Sequence, residues 1–161
     1  MKSKLVYLTN LSGKKASVYS IITEESQYAF LDRFVMEYQK EFFQDLLSIM
    51  GRLKSIGNVT GAVSTYFKLD EGLEWDDQVC ALYDIPDKHL RLYCIRLSEQ
   101  IVIVGGGGPK KVRAWQDDPK LTREVNEMMH YSKIIRTRLK DNALKISLNR
   151  LKLEGDLLLI R

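Results

Sequence analysis

The chain has 161 residues, of which 45% are hydrophobic and 29% are charged, and a formal net charge of +4. This size and balance are typical of one soluble globular domain spanning residues 1–161 with a core of its own, and two cysteines are too few for a disulfide framework. No apolar run reaches the length of a membrane span, and the N-terminus lacks the features of a signal peptide. We therefore expect a cytoplasmic protein with no membrane partner.

The positive charge is concentrated in the second half of the chain. Residues 1–85 hold 9 Lys/Arg against 12 Asp/Glu, whereas residues 86–161 hold 16 against 9. Such a basic half favours a polyanionic partner, either nucleic acid or an acidic protein. A helix with a solvated basic face is the structural alternative.

The first half predicts a strand, a long helix and then a meander. An alternating β-branched segment predicts a strand over 16–22, and apolar residues recurring every three or four positions predict one helix over 27–54. Three strand patterns follow at 79–85, 90–97 and 101–104. Their short connections are typical of an antiparallel meander. Cys80 and Cys94 would lie on two neighbouring strands, where a free thiol is usually a small buried hydrophobic group.

The sequence GGGGPKK, residues 105–111, ends the last of these strands. Bare glycine backbone beside two lysines is suited to the close approach of a phosphate, and a sharp turn with solvated lysines is the structural alternative. A second helix is predicted to begin at Pro119, with Asp118 as its N-cap, and to run to about Leu139. The tail 140–161 favours strands, with a hairpin around Gly155.

Motifs for a bound cofactor are absent from the sequence. The glycine run lacks the spacing of a P-loop and the surroundings of a dinucleotide-binding turn. His89 and His130 have no cysteine or carboxylate at zinc-ligand spacing. No serine lies in a nucleophile elbow. We therefore predict neither a cofactor nor a metal.

The order of these elements resembles the RelE/ParE superfamily of bacterial toxins, most closely the HigB-like, phage-type branch. The segments that carry the resemblance are the helical region before the sheet, the strand pair VCALYDI and LRLYCIRL, and IVIVGGGGPKK followed by a proline-led helix. It covers about residues 16–139 and leaves 140–161 as an extension. The fold that it implies is α+β: an N-terminal strand and long helix packed on an antiparallel meander, followed by a C-terminal helix.

The resemblance implies a toxin of a type II toxin–antitoxin pair, a metal-independent endoribonuclease that cuts mRNA on the ribosome. Its partners would be a cognate antitoxin protein and the mRNA. The reaction is attack of a ribose 2′-hydroxyl on the neighbouring phosphate. It needs cations to stabilise the charge, a base for the hydroxyl proton and an acid for the leaving oxygen.

The resemblance assigns the catalytic residues. Arg91 matches the family's strand arginine and would clamp the scissile phosphate. Lys110 and Lys111 match the lysine pair after the last strand and would stabilise charge or donate a proton. His89, in the turn before Arg91, would act as acid or base, or else is a solvated loop histidine.

Three further residues are assigned to RNA binding: Lys88, Arg113 and Trp115. Arg113 would hold the RNA backbone, and Trp115 would stack on a base, unless it is a packing anchor at the start of the helix.

The chain also departs from the family. The first meander strand carries Asp84 where RelE-type nucleases often have lysines, and the chain is longer than a typical toxin. The alternative function is therefore a non-catalytic protein of the same fold that binds gyrase, as ParE-type members do, or nucleic acid through its basic half.

Overall fold

The computed structural model describes residues 2–73, 76–84, 89–111 and 114–160. These residues form a mixed seven-stranded sheet with helices on both faces, and a separate two-stranded hairpin. The strands are β1 (Lys2–Tyr7), β2 (Ser17–Thr23), β3 (Phe67–Lys68), β4 (Val79–Tyr83), β5 (Leu90–Arg96), β6 (Ile101–Pro109), β7 (Leu144–Ile146), β8 (Leu153–Gly155) and β9 (Leu158–Ile160). The helices are α1 (Phe30–Tyr38), α2 (Phe43–Ser55) and α3 (Pro119–Lys140), with a π-helical turn over Ile56–Thr60 and single 3₁₀ turns over Ser64–Tyr66 and Trp115–Asp117.

The predicted RelE-like α+β fold is wrong. Strands β4, β5 and β6 do form an antiparallel meander, but it occupies only part of a sheet with the order β3-β4-β5-β6-β2-β1-β9. Strand β2 pairs with β6 in parallel, and β1 and β9 extend the sheet beyond it. The β2–β6 and β1–β9 pairings join segments far apart in sequence, so local periodicity did not indicate them.

Both ends of the chain contribute strands to the structure. The N-terminal strand was not predicted from the sequence, and the hairpin of the C-terminal tail lies at a different position from the predicted one. The first residues form β1, which pairs antiparallel with β2, and β9 pairs with β1 at the sheet edge. The tail is stranded as predicted, but its hairpin joins β7 to β8 and turns between Ile146 and Leu153 rather than around Gly155.

The predicted helix over 27–54 is two helices, with a break between Tyr38 and Phe43. The apolar stripe persists across the break, because Phe34 and Tyr38 in α1 and Leu46 and Ile49 in α2 are all buried against the same face of the sheet. Periodicity reports which side chains face the core, and it does not distinguish one helix from two that share that face. This side of the sheet is the α1–α2 face.

Helix α3 covers the opposite side, the α3 face, and begins where it was predicted to begin. The Asp118 side chain accepts hydrogen bonds from the backbone N–H groups of Lys120 (2.9 Å) and Leu121 (3.2 Å), and Pro119 is the first helical residue. Such a cap satisfies donors that have no partner within the helix. Among the described residues, no helix is long and apolar enough to cross a membrane.

Cys80 and Cys94 lie on neighbouring strands and are buried, as predicted, and the structure places them directly opposite each other on β4 and β5. Burial raises the pKa of the Cys94 thiol, and a hydrogen bond with Cys80 raises it further. Because the thiolate is the nucleophile, both thiols should be inert in the folded protein. We expect no reaction with Ellman's reagent at pH 8 in buffer and release of both equivalents in guanidinium chloride. Rapid labelling of the native protein would contradict this burial.

Candidate functional site

Three positively charged side chains come together at one end of the sheet and form the basic cluster: Lys68, Arg91 and Lys110. Lys68 ends β3, Arg91 is the second residue of β5, and Lys110 directly follows β6. The pairing register explains their convergence, because Lys68 lies opposite Ala81 on β4 and Arg91 lies opposite Gly108 on β6. Side chains two residues apart on a strand share a face, and Tyr93, two residues after Arg91, belongs to the core under α3. The cluster therefore lies on the α3 face.

The electrostatics of Lys110 show how close these charges are. Partial burial lowers the pKa of Lys110, and the positive charges of Lys68 and Arg91 lower it further, while Glu71 acts in the opposite direction. Glu71 is buried, and its Oε1 lies 3.8 Å from Lys68 Nζ. Among the described groups that act on Lys110, Lys68 and Arg91 are positive and Glu71 is negative. An anion bound there would stabilise the ammonium form of Lys110.

Aromatic rings accompany the cluster. The Arg91 guanidinium lies over the Tyr83 ring, 5.2 Å from its centroid, and the two residues are opposite each other on β5 and β4. Tyr93 lies on the same face and is fully buried; burial and the charge of Glu71 raise its pKa, so it stays a neutral hydroxyl. Within residues 2–73, 76–84, 89–111 and 114–160, the Tyr93 hydroxyl has no hydrogen-bond partner. The site therefore combines cations, a half-buried ring and a buried donor.

The structure brings together two of the four predicted catalytic residues, Arg91 and Lys110. Lys111 is exposed and lies just beyond them. The His89 side chain points elsewhere: its Nδ1 is 3.5 Å from Asp45 Oδ1 of α2, on the α1–α2 face. His89 therefore does not share the surface that carries Arg91 and Lys110, and the acid–base role predicted for it lacks support from this geometry.

The structure gives the three predicted RNA-binding residues less support than it gives Arg91 and Lys110. Lys88 and Arg113 lie outside the described residues. Trp115 is 5% exposed and packs in the core beneath α3, and its carbonyl accepts a hydrogen bond from Thr122 Oγ1 at 3.2 Å. A ring so deeply buried presents no face to a base, so Trp115 has the alternative role, that of a packing anchor.

The glycine run is part of β6, which continues to Pro109 instead of ending at Val104. The register with β5 shifts within it, because Leu92 pairs with Gly107 and Cys94 with Val104. Two residues of β6 therefore lie opposite one residue of β5, which is a β-bulge. The structure therefore has a bulged strand where the sequence predicted a strand end followed by a sharp turn.

Close packing against neighbouring elements explains the absence of side chains in this run. A Cβ at Gly106 would come within 2.6 Å of Glu124 Oε2 on α3, and one at Gly108 within 2.9 Å of the Tyr38 hydroxyl on α1. A Cβ at Gly107 would overlap the backbone oxygen of Arg91. The glycines thus provide clearance for two helices and a neighbouring strand, where the sequence suggested clearance for a phosphate.

A cleft of about 330 Å³ lies between α1 and α3, with Gly106 and Gly107 on its wall. Its charged lining is balanced, with three cations and three carboxylates: Arg33, Lys120, Arg123, Glu37, Glu124 and Glu127. Lys120 Nζ lies 3.0 Å from Glu124 Oε1 and 3.4 Å from Glu37 Oε2. Although burial lowers the pKa of Lys120, these two carboxylates outweigh it and raise that pKa. A balanced cleft does not favour an anion, so the basic cluster is the better phosphate site.

Comparisons of the chain with protein-family models, with curated proteins and with solved structures find no match. The resemblance to RelE/ParE toxins therefore stays a prediction from the sequence.

Three residues of this site were not predicted from the sequence: Lys68, Glu71 and Tyr83. Strand β3 has only two residues, too short for a periodic pattern, and Glu71 lies in the acidic sequence LDEGLEWDD, residues 69–77, whose composition is typical of a loop. The alternation in VCALYDI does place Tyr83 on one face, and it was the only signal that pointed to this set.

Proposed function

We propose that this protein binds the phosphate backbone of RNA at the basic cluster. The observation that carries the proposal is the environment of Lys110, whose pKa is lowered by burial and by Lys68 and Arg91. Gathering like charges costs free energy, and a bound phosphate offsets that cost. Phosphate is also the anion that an arginine fork holds in a fixed geometry.

A single strand suits the surroundings of the cluster better than a duplex. Tyr83 is half-buried beneath the Arg91 guanidinium. Exposed bases of single-stranded RNA stack on aromatic rings and on guanidinium planes, whereas the bases of a duplex are already stacked on each other. The basic excess of residues 86–161 adds long-range attraction for such a polyanion.

RNA cleavage is the second candidate function, and the same lysine favours it. A lysine with a lowered pKa exchanges its proton more readily near neutral pH, so Lys110 suits the acid that protonates the leaving oxygen. Arg91 would stabilise the charge on the phosphorane. This is the metal-independent toxin activity that the resemblance implies, with mRNA on the ribosome as substrate and an antitoxin as partner.

RNA binding is tested with a labelled single-stranded RNA by fluorescence anisotropy across a range of salt concentrations. We expect Arg91→Gln and Lys110→Gln each to weaken binding about tenfold, equivalent to ~1.4 kcal/mol. Each should also make the slope of log affinity against log salt shallower by about 0.7, the value for one phosphate contact on a single strand. Affinity should fall as pH rises through the lowered pKa of Lys110, because the lysine then loses its charge.

Lys14→Gln is the matched control. Lys14 is exposed and precedes β2, whose Ser17 pairs with Ile101 at the start of β6, so it lies at the other end of the sheet from the basic cluster. It should leave the affinity unchanged. Equal losses in all three variants, or no binding at low salt, would contradict the proposal.

Cleavage is distinguished by the fate of the RNA. If the wild-type protein cuts mRNA on ribosomes and arrests bacterial growth, and Arg91→Gln abolishes both effects, the toxin function is supported. Binding that leaves transcripts intact supports the binding function alone. Growth arrest with intact transcripts and inhibited gyrase supports the ParE-like alternative.

A further inference from the structure

The sheet divides between two of its strands, and the cleft with Gly106 and Gly107 on its wall lies in that division. Among the described residues, β2 and β6 pair in parallel over three positions, Ser17–Tyr19 with Ile101–Ile103. Beyond these pairs both strands continue, β6 as far as Pro109. The later residues of the two strands therefore border a gap in the sheet.

Contacts between α1 and α3 cross this gap. The Phe30 ring of α1 and the Tyr131 ring of α3 have centroids 5.7 Å apart, and Lys120 Nζ of α3 lies 3.4 Å from Glu37 Oε2 of α1. Because α1 and α3 cover opposite faces of the sheet, their side chains can touch only where no strand lies between them. The strands β2 and β6 therefore diverge toward their carboxyl ends.

The chain leaves these two parallel strands in opposite directions. Strand β2 leads into α1 on the α1–α2 face, and β6 leads into α3 on the α3 face. Neighbouring parallel strands with such connections leave a crevice at their carboxyl ends, and in open sheets that crevice is where ligands bind. The cleft of about 330 Å³ occupies this position, and its volume is near the lower limit for small-molecule sites.

The lining of the cleft restricts the chemistry of a ligand. The rings of Phe30 and Phe34 form an apolar part, and the remaining side chains are three cations and three carboxylates. A ligand with a single charge is attracted by half of these groups and repelled by the other half. A ligand with both charges finds a partner for each, and its apolar portion can cover the two rings. An ammonium and a carboxylate beside an apolar group are the features of a free amino acid.

We propose that the cleft between α1 and α3 binds a free α-amino acid with an apolar or aromatic side chain. Lys120 Nζ lies 3.0 Å from Glu124 Oε1, whereas its contact with Glu37 is longer, and the Glu37 side chain is the more exposed of the two, at 49% against 24%. The ligand ammonium replaces Lys120 at Glu37. Lys120 keeps Glu124 and, with Arg123, receives the ligand carboxylate in charge-assisted hydrogen bonds.

The glycine run of β6 maintains this arrangement. A Cβ at Gly106 would come within 2.6 Å of Glu124 Oε2, so a side chain there would displace the carboxylate that holds Lys120. Gly106 therefore lets charged groups of α3 lie directly over the strand. Clearance for the helix and a place for the ligand have the same origin.

This site is separate from the basic cluster. Arg91 of the cluster lies opposite Gly108 on the side of β6 that pairs with β5. The cleft lies on the other side of β6, toward β2. Failure of RNA binding therefore leaves the amino-acid site standing, and the reverse also holds.

The test uses the full-length protein with L-phenylalanine as the probe, measured by isothermal calorimetry and by thermal unfolding. We expect one equivalent to bind and to raise the melting temperature. Hydrocinnamate lacks the ammonium group and phenethylamine lacks the carboxylate, so each should bind at least about tenfold more weakly. Glu37→Gln and Arg123→Gln should each weaken phenylalanine binding by about the same factor. Glu37→Gln should leave RNA binding unchanged.

Glu41→Gln is the matched control. Glu41 is exposed just after α1 and is not one of the described residues that line the cleft. It should bind phenylalanine like the wild type. The proposal is overturned if neither L-phenylalanine nor L-leucine binds, if a single-charge analogue binds as tightly, or if Glu37→Gln binds undiminished. Displacement of phenylalanine by inorganic phosphate would also overturn it, because it would make the cleft an anion site. Circular dichroism of each variant establishes that it is folded.

Discussion

Replacing Gly107 with alanine is expected to lower the free energy of unfolding by about 3 kcal/mol or more. The new methyl group would overlap the backbone oxygen of Arg91 on the paired strand, and backbone cannot rotate away as a side chain can. The strands would have to separate at the bulge, with loss of the pairing that places Arg91 beside β6. Equilibrium unfolding in urea, followed by far-UV circular dichroism, measures the loss.

Gly51→Ala provides the matched control. Gly51 lies in α2, is exposed, and a Cβ built there meets no atom within 4 Å. Alanine should therefore stabilise the protein by about 0.5–1 kcal/mol, the difference in helix propensity. A Gly107→Ala protein as stable as the wild type would show that the bulge is not packed as described.

Trp115→Ala is expected to cost about 3–5 kcal/mol of stability, the usual loss for truncating a buried aromatic side chain. The ring is 5% exposed and contributes to the core beneath α3 together with Leu121 and Val125. Thermal and urea unfolding measure this loss. If Trp115 were instead exposed and used for base stacking, the same change would leave stability almost unaltered and weaken RNA binding.

Trp115→Phe separates the two roles. Phenylalanine retains much of the buried volume and can still stack on a base, so stability should fall by less than for alanine. RNA affinity, measured below the unfolding transition, should match that of the wild type for both variants. A loss of affinity in folded Trp115→Ala protein would restore the stacking role.

Elements that depend on neighbours in sequence were predictable. Asp118 and Pro119 marked the start of α3 because capping is decided by a side chain and the amides two or three residues later. The meander of β4, β5 and β6 was predictable because short connections leave consecutive strands few other pairings. The break between α1 and α2 was not, since both helices bury the same stripe.

The sheet as a whole was mispredicted for a different reason. Strand β2 lies beside β6, and β1 lies beside β9, so each pairing joins segments far apart in the chain. The resemblance offered a ready arrangement for the middle of the chain, but it had no place for β1 or β9. A strand pattern alone contains no information about its partner.

The site residues show the same difference between what local sequence predicts and what long-range contacts decide. Arg91 and Lys110 were singled out because a strand arginine and a post-strand lysine suit phosphate chemistry. Lys68 and Asp45 carry no such signal in the sequence. Lys68 joins the basic cluster because β3 pairs with β4, and Asp45 faces His89 because α2 packs over the end of β5. The partners of a charge are set by packing.

The sequence by itself determined the local events of this protein: which segments alternate, which stripes are buried, where α3 is capped, and that the second half is basic. The tertiary structure alone decided that the glycines of β6 make room for α1 and α3, that Trp115 is core, and that His89 faces two aspartates instead of Arg91. The physical reason is the distance along the chain over which each interaction acts. Propensity, capping and periodicity act within a few residues, whereas strand pairing and the gathering of charges depend on contacts between residues that the chain itself holds far apart.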